Sequence, residues 1–206
     1  MGRLAGFAYQ IPEIALKAAV TYRSEIKHNA KANETGTIAS GYFTIPDSYI
    51  DTNVQAVTPQ SVNIDLQTGI SQNTLAFANV RWVHWDQFVV TPKFLNSQGQ
   101  DLISYSDDQW SVNVGLGHKF NDQWSGSATV GWDSGAGNPV TTLGPTEGYW
   151  SVGLGGQYSP TPRTFIQAGV KYFDLGDATA QTGGKAVAEF EDNYAIGYGL
   201  KIGYKF

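Results

Sequence analysis

The sequence predicts an all-β chain, an antiparallel transmembrane β-barrel of about nine strands. Three observations carry this prediction. Large apolar or aromatic residues alternate with small or polar ones at period two in segment after segment, which is the pattern of strands with one greasy and one wet face. The connections between these segments are alternately short and long, as in barrels with tight turns at one rim and loops at the other. Aromatic rings collect near the strand ends, where hydrocarbon meets water.

The last strand, 194–206, shows the pattern most plainly. Tyr194, Ile196, Tyr198, Leu200, Ile202, Tyr204 and Phe206 make one face; Ala195, Gly197, Gly199, Lys201, Gly203 and Lys205 make the other. A strand of about 10 residues is also what a tilted bilayer crossing needs. In chain order, the remaining alternating segments are 4–10, 16–23, 61–68, 74–88, 110–120, 124–133, 150–158 and 166–172. Short turns fall at 11–13, 69–73, 121–122 and 160–162, and long connections at 28–59, 90–107, 134–148 and 173–189. Segment 74–88 has a mixed phase. Ala76, Ala78, Val80 and Trp82 oppose Asn79 and Arg81, yet Leu75, Phe77, Val83 and Trp85 fall on the polar side. Either a bulge near His84 or a greasy patch inside the barrel accounts for this.

Composition narrows the function. No run of 18 apolar residues is present, so no transmembrane helix is predicted. The absence of cysteine excludes disulfides and thiolate metal sites. A net charge of −5 argues against nucleic acid as a partner. A soluble barrel with its greasy face inward would need a charged outer face. Here the polar face is mostly Gly, Ser, Asn, Gln and Thr with a few Lys, which favours the membrane. His28, His84 and His118 lack the spacing of a ligand set, so neither metal nor cofactor is predicted. Asp107-Asp108 and Glu189, Glu191 and Asp192 read as solvated loop charges, with divalent-ion binding at the outer rim as the alternative. No Ser/His/Asp constellation is readable, so an enzyme is not predicted.

Nine strands make the first and last run the same way, which forbids antiparallel closure between them, and bacterial single-chain barrels use even numbers. Residues 1–13 also carry no secretory signal. The expectation is a single barrel domain over 1–206 that is the C-terminal part of a larger barrel.

The stretch Pro59-Gln60-Ser61-Val62-Asn63, then Gly69, then Val80-Arg81-Trp82-Val83 with Trp85 and Phe88, resembles the FadL/OmpP1/TodX family. Residues 6–28 and the ending Gly203-Tyr204-Lys205-Phe206 are similar to it too. These are outer-membrane transporters of long-chain fatty acids and other hydrophobic compounds. The resemblance implies a fourteen-stranded barrel holding an N-terminal hatch, of which these would be the last nine strands. It implies the outer membrane of a Gram-negative bacterium, with outer-membrane lipid and lipopolysaccharide around the barrel. It also implies that the assembly machinery reads the ending at Tyr204 and Phe206. The implied partner is a long-chain fatty acid or another hydrophobic small molecule. It would be captured on extracellular loops, pass into the barrel and leave sideways through the wall. Burial of each CH₂ gives roughly 0.8 kcal/mol, so a long acyl chain gains on the order of 10 kcal/mol before the costs of binding.

By position, Ile38, Tyr42, Phe43, Ile45, Tyr49 and Ile50 in the first long connection are candidates for the capture groove. Phe94, Leu95, Leu102 and Ile103 in the second are similar. Each could equally pack its loop onto a neighbour. Arg81 is a candidate partner for a carboxylate, with an internal ion pair or a wall charge as the alternative reading; Lys93 is a weaker candidate. Two other functions remain open. An outer-membrane lipid hydrolase would need Ser and His at one height on the lipid face, for which His118 with Ser111 or Ser127 is the available set. A structural or adhesion barrel would lack greasy loops.

Overall fold

The computed structural model describes residues 1–206 apart from 36, 39–42, 144–145 and 183. Nine strands form one antiparallel sheet in which every strand pairs with its neighbours in sequence. We label them β1 (Leu4–Ile11), β2 (Leu16–Arg23), β3 (Ser61–Ser71), β4 (Thr74–Val83), β5 (Gln109–Lys119), β6 (Trp124–Asp133), β7 (Tyr149–Thr161), β8 (Thr164–Leu175) and β9 (Tyr194–Tyr204). This is the meander that adjacent hairpins give, and the strands are those that the period-two pattern predicts. Two ends differ. β4 stops at Val83 because Trp85–Gln87 turns into a short 3₁₀ helix, and β7 runs on through Pro160 to Thr161. Among the described residues, the outer strands β1 and β9 pair only with β2 and β8. They run in the same direction and leave one open edge each.

The mixed phase of β4 resolves as a greasy patch on the polar face. Its ladders with β3 and β5 show no slip near His84; the shifts are at Gly69/Ser71 and Tyr158/Thr161. Leu75 pairs with Gly117, and Phe77 with Gly115. A Cβ on Gly115 would stand 2.5 Å from Cζ of Phe77, so the ring occupies the room that the missing side chain leaves. Inward bulk on β4 is thus matched by inward glycine on β5.

The opposite face is apolar and exposed. Phe7, Leu66, Leu116, Leu154, Tyr198 and Leu200 are all about half exposed or more. Most of the chain's large apolar side chains point away from the protein, and little core lies beneath the sheet. Rings bracket this band. On the loop side, Trp82 and Trp110 are paired in register with centroids 6.5 Å apart, as are Trp132 and Trp150 at 6.4 Å. On the turn side, Trp124 stacks on Tyr158 at 4.6 Å. An 11-residue strand such as β5, rising about 3.3 Å per residue and tilted about 45°, crosses about 25 Å, the height of an outer-membrane barrel's apolar band.

All four long connections leave the same end of the sheet, and they carry structure of their own. Ile26–Ala32 pairs with Thr52–Thr58 as a hairpin extending β2 and β3 outward. The loop between β4 and β5 holds a rung of Val89–Val90 against Ile103–Ser104 and a one-turn helix, Lys93–Ser97. The last two long loops share a three-stranded sheet of Val140–Thr141, Ala178–Thr182 and Lys185–Phe190. Val140, Ala178 and Ala180 are buried there against Phe190 and form a small core above the barrel.

Candidate functional site

Two regions could meet a ligand: the crown of loops and the polar, lumen-facing side of the sheet. In the crown, the first two loops dock. Tyr49, held by the 3₁₀ turn Asp47–Tyr49, meets Phe94 edge to face with centroids 5.2 Å apart. Both oxygens of Glu34 accept the backbone N–H of Phe94, at 3.0 and 3.1 Å. A carboxylate at the start of the Lys93–Ser97 turn satisfies an N–H that has no partner within that turn. The Lys93 ammonium lies 5.9 Å over the Tyr49 ring.

The sequence candidates therefore separate. Phe94 is buried in this junction and Tyr49 half-buried in it, while Ile45 is half-buried. Ile50 is exposed. Ile38 and Phe43 are backbone partners in a short antiparallel rung, and Tyr42 lies outside the described residues. Leu95 points elsewhere, into a cleft of about 330 Å³ that it shares with Leu102, Leu143 and Thr142. That cleft separates the second loop from the last two, and Leu102 and Leu143 are exposed in it. Ile103 pairs with Val90 in the rung below.

On the lumen side the wall is small, polar and hydrogen-bonded. The Arg81 guanidinium donates to Asn63 Oδ1 at 2.7 Å, and Asn79 donates to Asp65 Oδ1 at 2.7 Å. Among the described residues no carboxylate stands within ion-pair distance of Arg81. Farther round, Lys171 donates to Asn113 Oδ1 at 3.1 Å and lies 5.1 Å over the Phe173 ring. Gly153, Gly155, Gly169, Gly197 and Gly199 floor a recess of about 430 Å³ beside Lys171. A second recess of about 500 Å³ opens toward the short turns, lined by Leu75, Gly117, Ser127 and Gln157.

A pocket of about 200 Å³ sits under the third long loop, between Trp85, Tyr105 and Tyr149 and the carboxylates of Asp133 and Glu147. Gly135 and Gly137 both have positive φ, which lets their N–H groups turn inward. Gly137 donates to Glu147 Oε1 at 3.0 Å and Gly135 to Asp133 Oδ1 at 2.9 Å. Burial pushes the Glu147 carboxyl above its ordinary range; the N–H groups of Gly137 and Ala136 oppose this, and the charges of Asp107 and Asp133 add to it.

The register also gathers residues that linear spacing kept apart. Val83 pairs with Gln109, so the next residues outward, His84 and Asp108, face each other. His84 Nδ1 is 2.8 Å from Asp108 Oδ1 and 3.0 Å from Asp86 Oδ1, while the Trp82 indole N–H donates to the other Asp108 oxygen at 2.9 Å. Burial raises the Asp108 pKa, but the bonds from His84, Trp82 and the Asp86 N–H, with the His84 charge, bring it below its ordinary value. His118, by contrast, bonds Thr74 Oγ1 at 2.8 Å on the lipid face, whereas Ser111 and Ser127 lie on the opposite face. A serine–histidine pair of the kind a lipid hydrolase needs is not formed by these residues.

An apolar belt between two aromatic girdles, short turns at one rim and long loops at the other define an outer-membrane β-barrel. Residues 1–206 match the model of the outer membrane protein transport protein family, OMPP1/FadL/TodX, and the chain belongs to that family, at home in the outer membrane of Gram-negative bacteria. Among solved structures the chain is similar to a Pseudomonas aeruginosa FadL homologue, with 15% identity over 97% of this chain and 50% of that one, at a TM-score of 0.67. It is also similar to the Pseudomonas putida toluene transporter TodX, with 13% identity, 98% and 46% coverage and a TM-score of 0.54. For the monoaromatic hydrocarbon channel CymD the identity is 16%, the coverage 85% and 46%, and the TM-score 0.53. The chain thus spans about half the length of these relatives. No curated protein matches the chain.

Proposed function

We propose that this chain forms nine strands of a larger barrel that carries hydrophobic small molecules across the outer membrane, without chemistry of its own. The parallel sense of β1 and β9 supports the larger barrel, since each edge then pairs with a further antiparallel strand. The relatives' descriptions as a toluene transporter and a monoaromatic hydrocarbon channel support the ligand class. Capture takes place on the crown, in the cleft that Leu95 shares with Leu102 and Leu143, and the ligand then descends along the lumen wall.

The observation that carries the substrate reading is Arg81. It faces the lumen with an amide oxygen for a partner and no carboxylate near it among the described residues. A cation so placed suits an amphiphile with an anionic head, so long-chain fatty acids are the substrates in this reading. The test is ligand binding to the full-length protein in detergent micelles, using a fluorescent fatty acid and toluene as separate probes. Arg81→Gln should weaken the fatty acid about tenfold and leave toluene unchanged. Leu95→Asp should weaken both. Equal affinities for Arg81→Gln and the parent protein would remove the carboxylate assignment; equal affinities for Leu95→Asp would remove the cleft.

A further inference from the structure

We propose that His84, Asp86 and Asp108 form a binding site for a divalent first-row transition ion, with Zn²⁺ as the fitting member, which clamps the two stems of the 84–108 loop. One imidazole nitrogen and two carboxylate oxygens, one from each residue, all lie within 4.8 Å of one another. The two distances from His84 Nδ1, 2.8 and 3.0 Å, are hydrogen-bond distances that an ion entering between the three atoms would widen by only a few tenths of an ångström. With metal–ligand bonds of about 2.1 Å, neighbouring donors stand about 3.0 Å apart at right angles and about 3.4 Å apart at the tetrahedral angle.

The hydrogen-bond count supports the same conclusion. Nδ1 carries at most one proton, yet two carboxylate oxygens converge on it. A cation between the three atoms would use all of them, and two anions with a neutral imidazole balance its charge. The donors are also aimed from behind. Trp82 holds the far oxygen of Asp108, which directs the near one at His84, and the indole lies against the imidazole with centroids 5.4 Å apart. Such outer bonds are the usual support of metal ligands.

The donor set selects the ion. Imidazole suits Zn²⁺, Ni²⁺ or Cu²⁺, whereas Ca²⁺ takes six to eight oxygens. Three protein donors leave positions for water, and Asp86 is exposed enough to admit it. The consequence is mechanical. His84 and Asp86 end one stem of the loop and Asp108 the other, so a bound ion closes a loop whose interior carries Phe94, Leu95 and the Leu102 cleft.

The experiment uses full-length protein without a histidine tag, stripped with chelator, in detergent micelles. Titration calorimetry with Zn²⁺ should show one site, tighter than for Ca²⁺, and Co²⁺ should give visible absorption bands of an N,O-ligated ion. Asp86→Asn, which alters an exposed side chain and leaves the Trp82–Asp108 bond in place, should weaken Zn²⁺ at least about tenfold, as loss of supporting groups alone does. His84→Ala should abolish the Co²⁺ bands. Trypsin cleavage after Lys93 should slow on adding Zn²⁺ in the parent protein and not in Asp86→Asn. Absence of Zn²⁺ binding in the parent, affinity for Ca²⁺ matching that for Zn²⁺, or unchanged Zn²⁺ affinity in Asp86→Asn overturns the proposal. The Asp86→Asn arm decides if His84→Ala does not fold.

Discussion

Tyr49 and Phe94 meet edge to face, 5.2 Å between centroids and 88° between planes, and this contact locks the first long loop onto the second. Forty-five positions separate the two residues in sequence, and the sheet brings them together through β3 and β4. Phe94 is 5% exposed, so its removal empties a closed site. Truncating such a ring costs about 3–5 kcal/mol in a well-packed core, and an edge-to-face pair adds about 0.5–1.5 kcal/mol beyond buried area. Phe94→Ala should therefore release both loops while the barrel stays folded, and Tyr49→Ala should do so more weakly. The measurement is trypsin cleavage at Lys31 and Lys93, both exposed, beside the far-ultraviolet signal of the sheet. Unchanged cleavage in Phe94→Ala would mean that the loops are held by their stems alone.

Glu147 gives the third loop a pH dependence whose direction follows from its environment. Its folded pKa is raised, chiefly by burial. The folded state therefore binds a proton more readily than the unfolded one, so this contribution is complete below the ordinary value of 4.5 and is lost as pH rises through the raised pKa. Asp108 acts oppositely: with its pKa lowered, its contribution is present above 3.8 and is lost as pH falls through the lowered value. The crown is thus held best in mild acid. Glu147→Gln keeps an oxygen for the Gly137 N–H and removes the repulsion from Asp107 and Asp133. Amide exchange at 135–137 at neutral pH should slow about two- to fivefold, the scale of partly exposed charge interactions of about 0.5–1 kcal/mol. The protection factor there, with the intrinsic pH dependence of exchange divided out, should fall in the parent as pH rises through the raised pKa and should not do so in the variant. Protection that still falls with rising pH in the variant would assign the effect to another group.

The barrel strands were legible because lipid enforces the alternation on one face. β6 and β9 carry it without a break, and β5 carries it up to His118 at its turn end, since a polar residue deeper on that side would face hydrocarbon. β4 blurred it for a non-local reason: Leu75 and Phe77 can point inward only because Gly117 and Gly115 stand across from them, on a strand more than 30 positions away. The crown was less legible. The strand Ile26–Ala32, reading IKHNAKA, is exposed along most of its length and has no apolar side to announce it. The candidate residues were found by type and by position between strands. Which of them dock a loop, as Phe94 does, and which line a cleft, as Leu95 does, depends on contacts between loops. The His84 cluster was hidden for the same reason, because Asp108 reaches His84 only through the Val83–Gln109 register.

The two faces of the sheet should respond in opposite ways to a new charge. Leu154 lies midway along β7, between Ala128 and Val170 on its neighbours, and is 61% exposed on the apolar side. In water such exposure would be tolerable for any side chain; in hydrocarbon it is not. Leu154→Lys places an ammonium near the bilayer centre, and a lipid-facing Lys at that depth costs about 2–4 kcal/mol. Gln67, on the lumen side of β3, bonds the Ala15 carbonyl at 3.4 Å, a long contact whose loss matters little. Gln67→Glu, which sets a carboxylate opposite Lys17 on β2, should cost no more than about 0.5 kcal/mol, the range of ordinary surface changes. Denaturant unfolding of the full-length protein in lipid vesicles measures both. A soluble barrel would reverse the order, with Leu154→Lys harmless on a wetted exterior, so the sign of the difference tests which side of this sheet faces lipid.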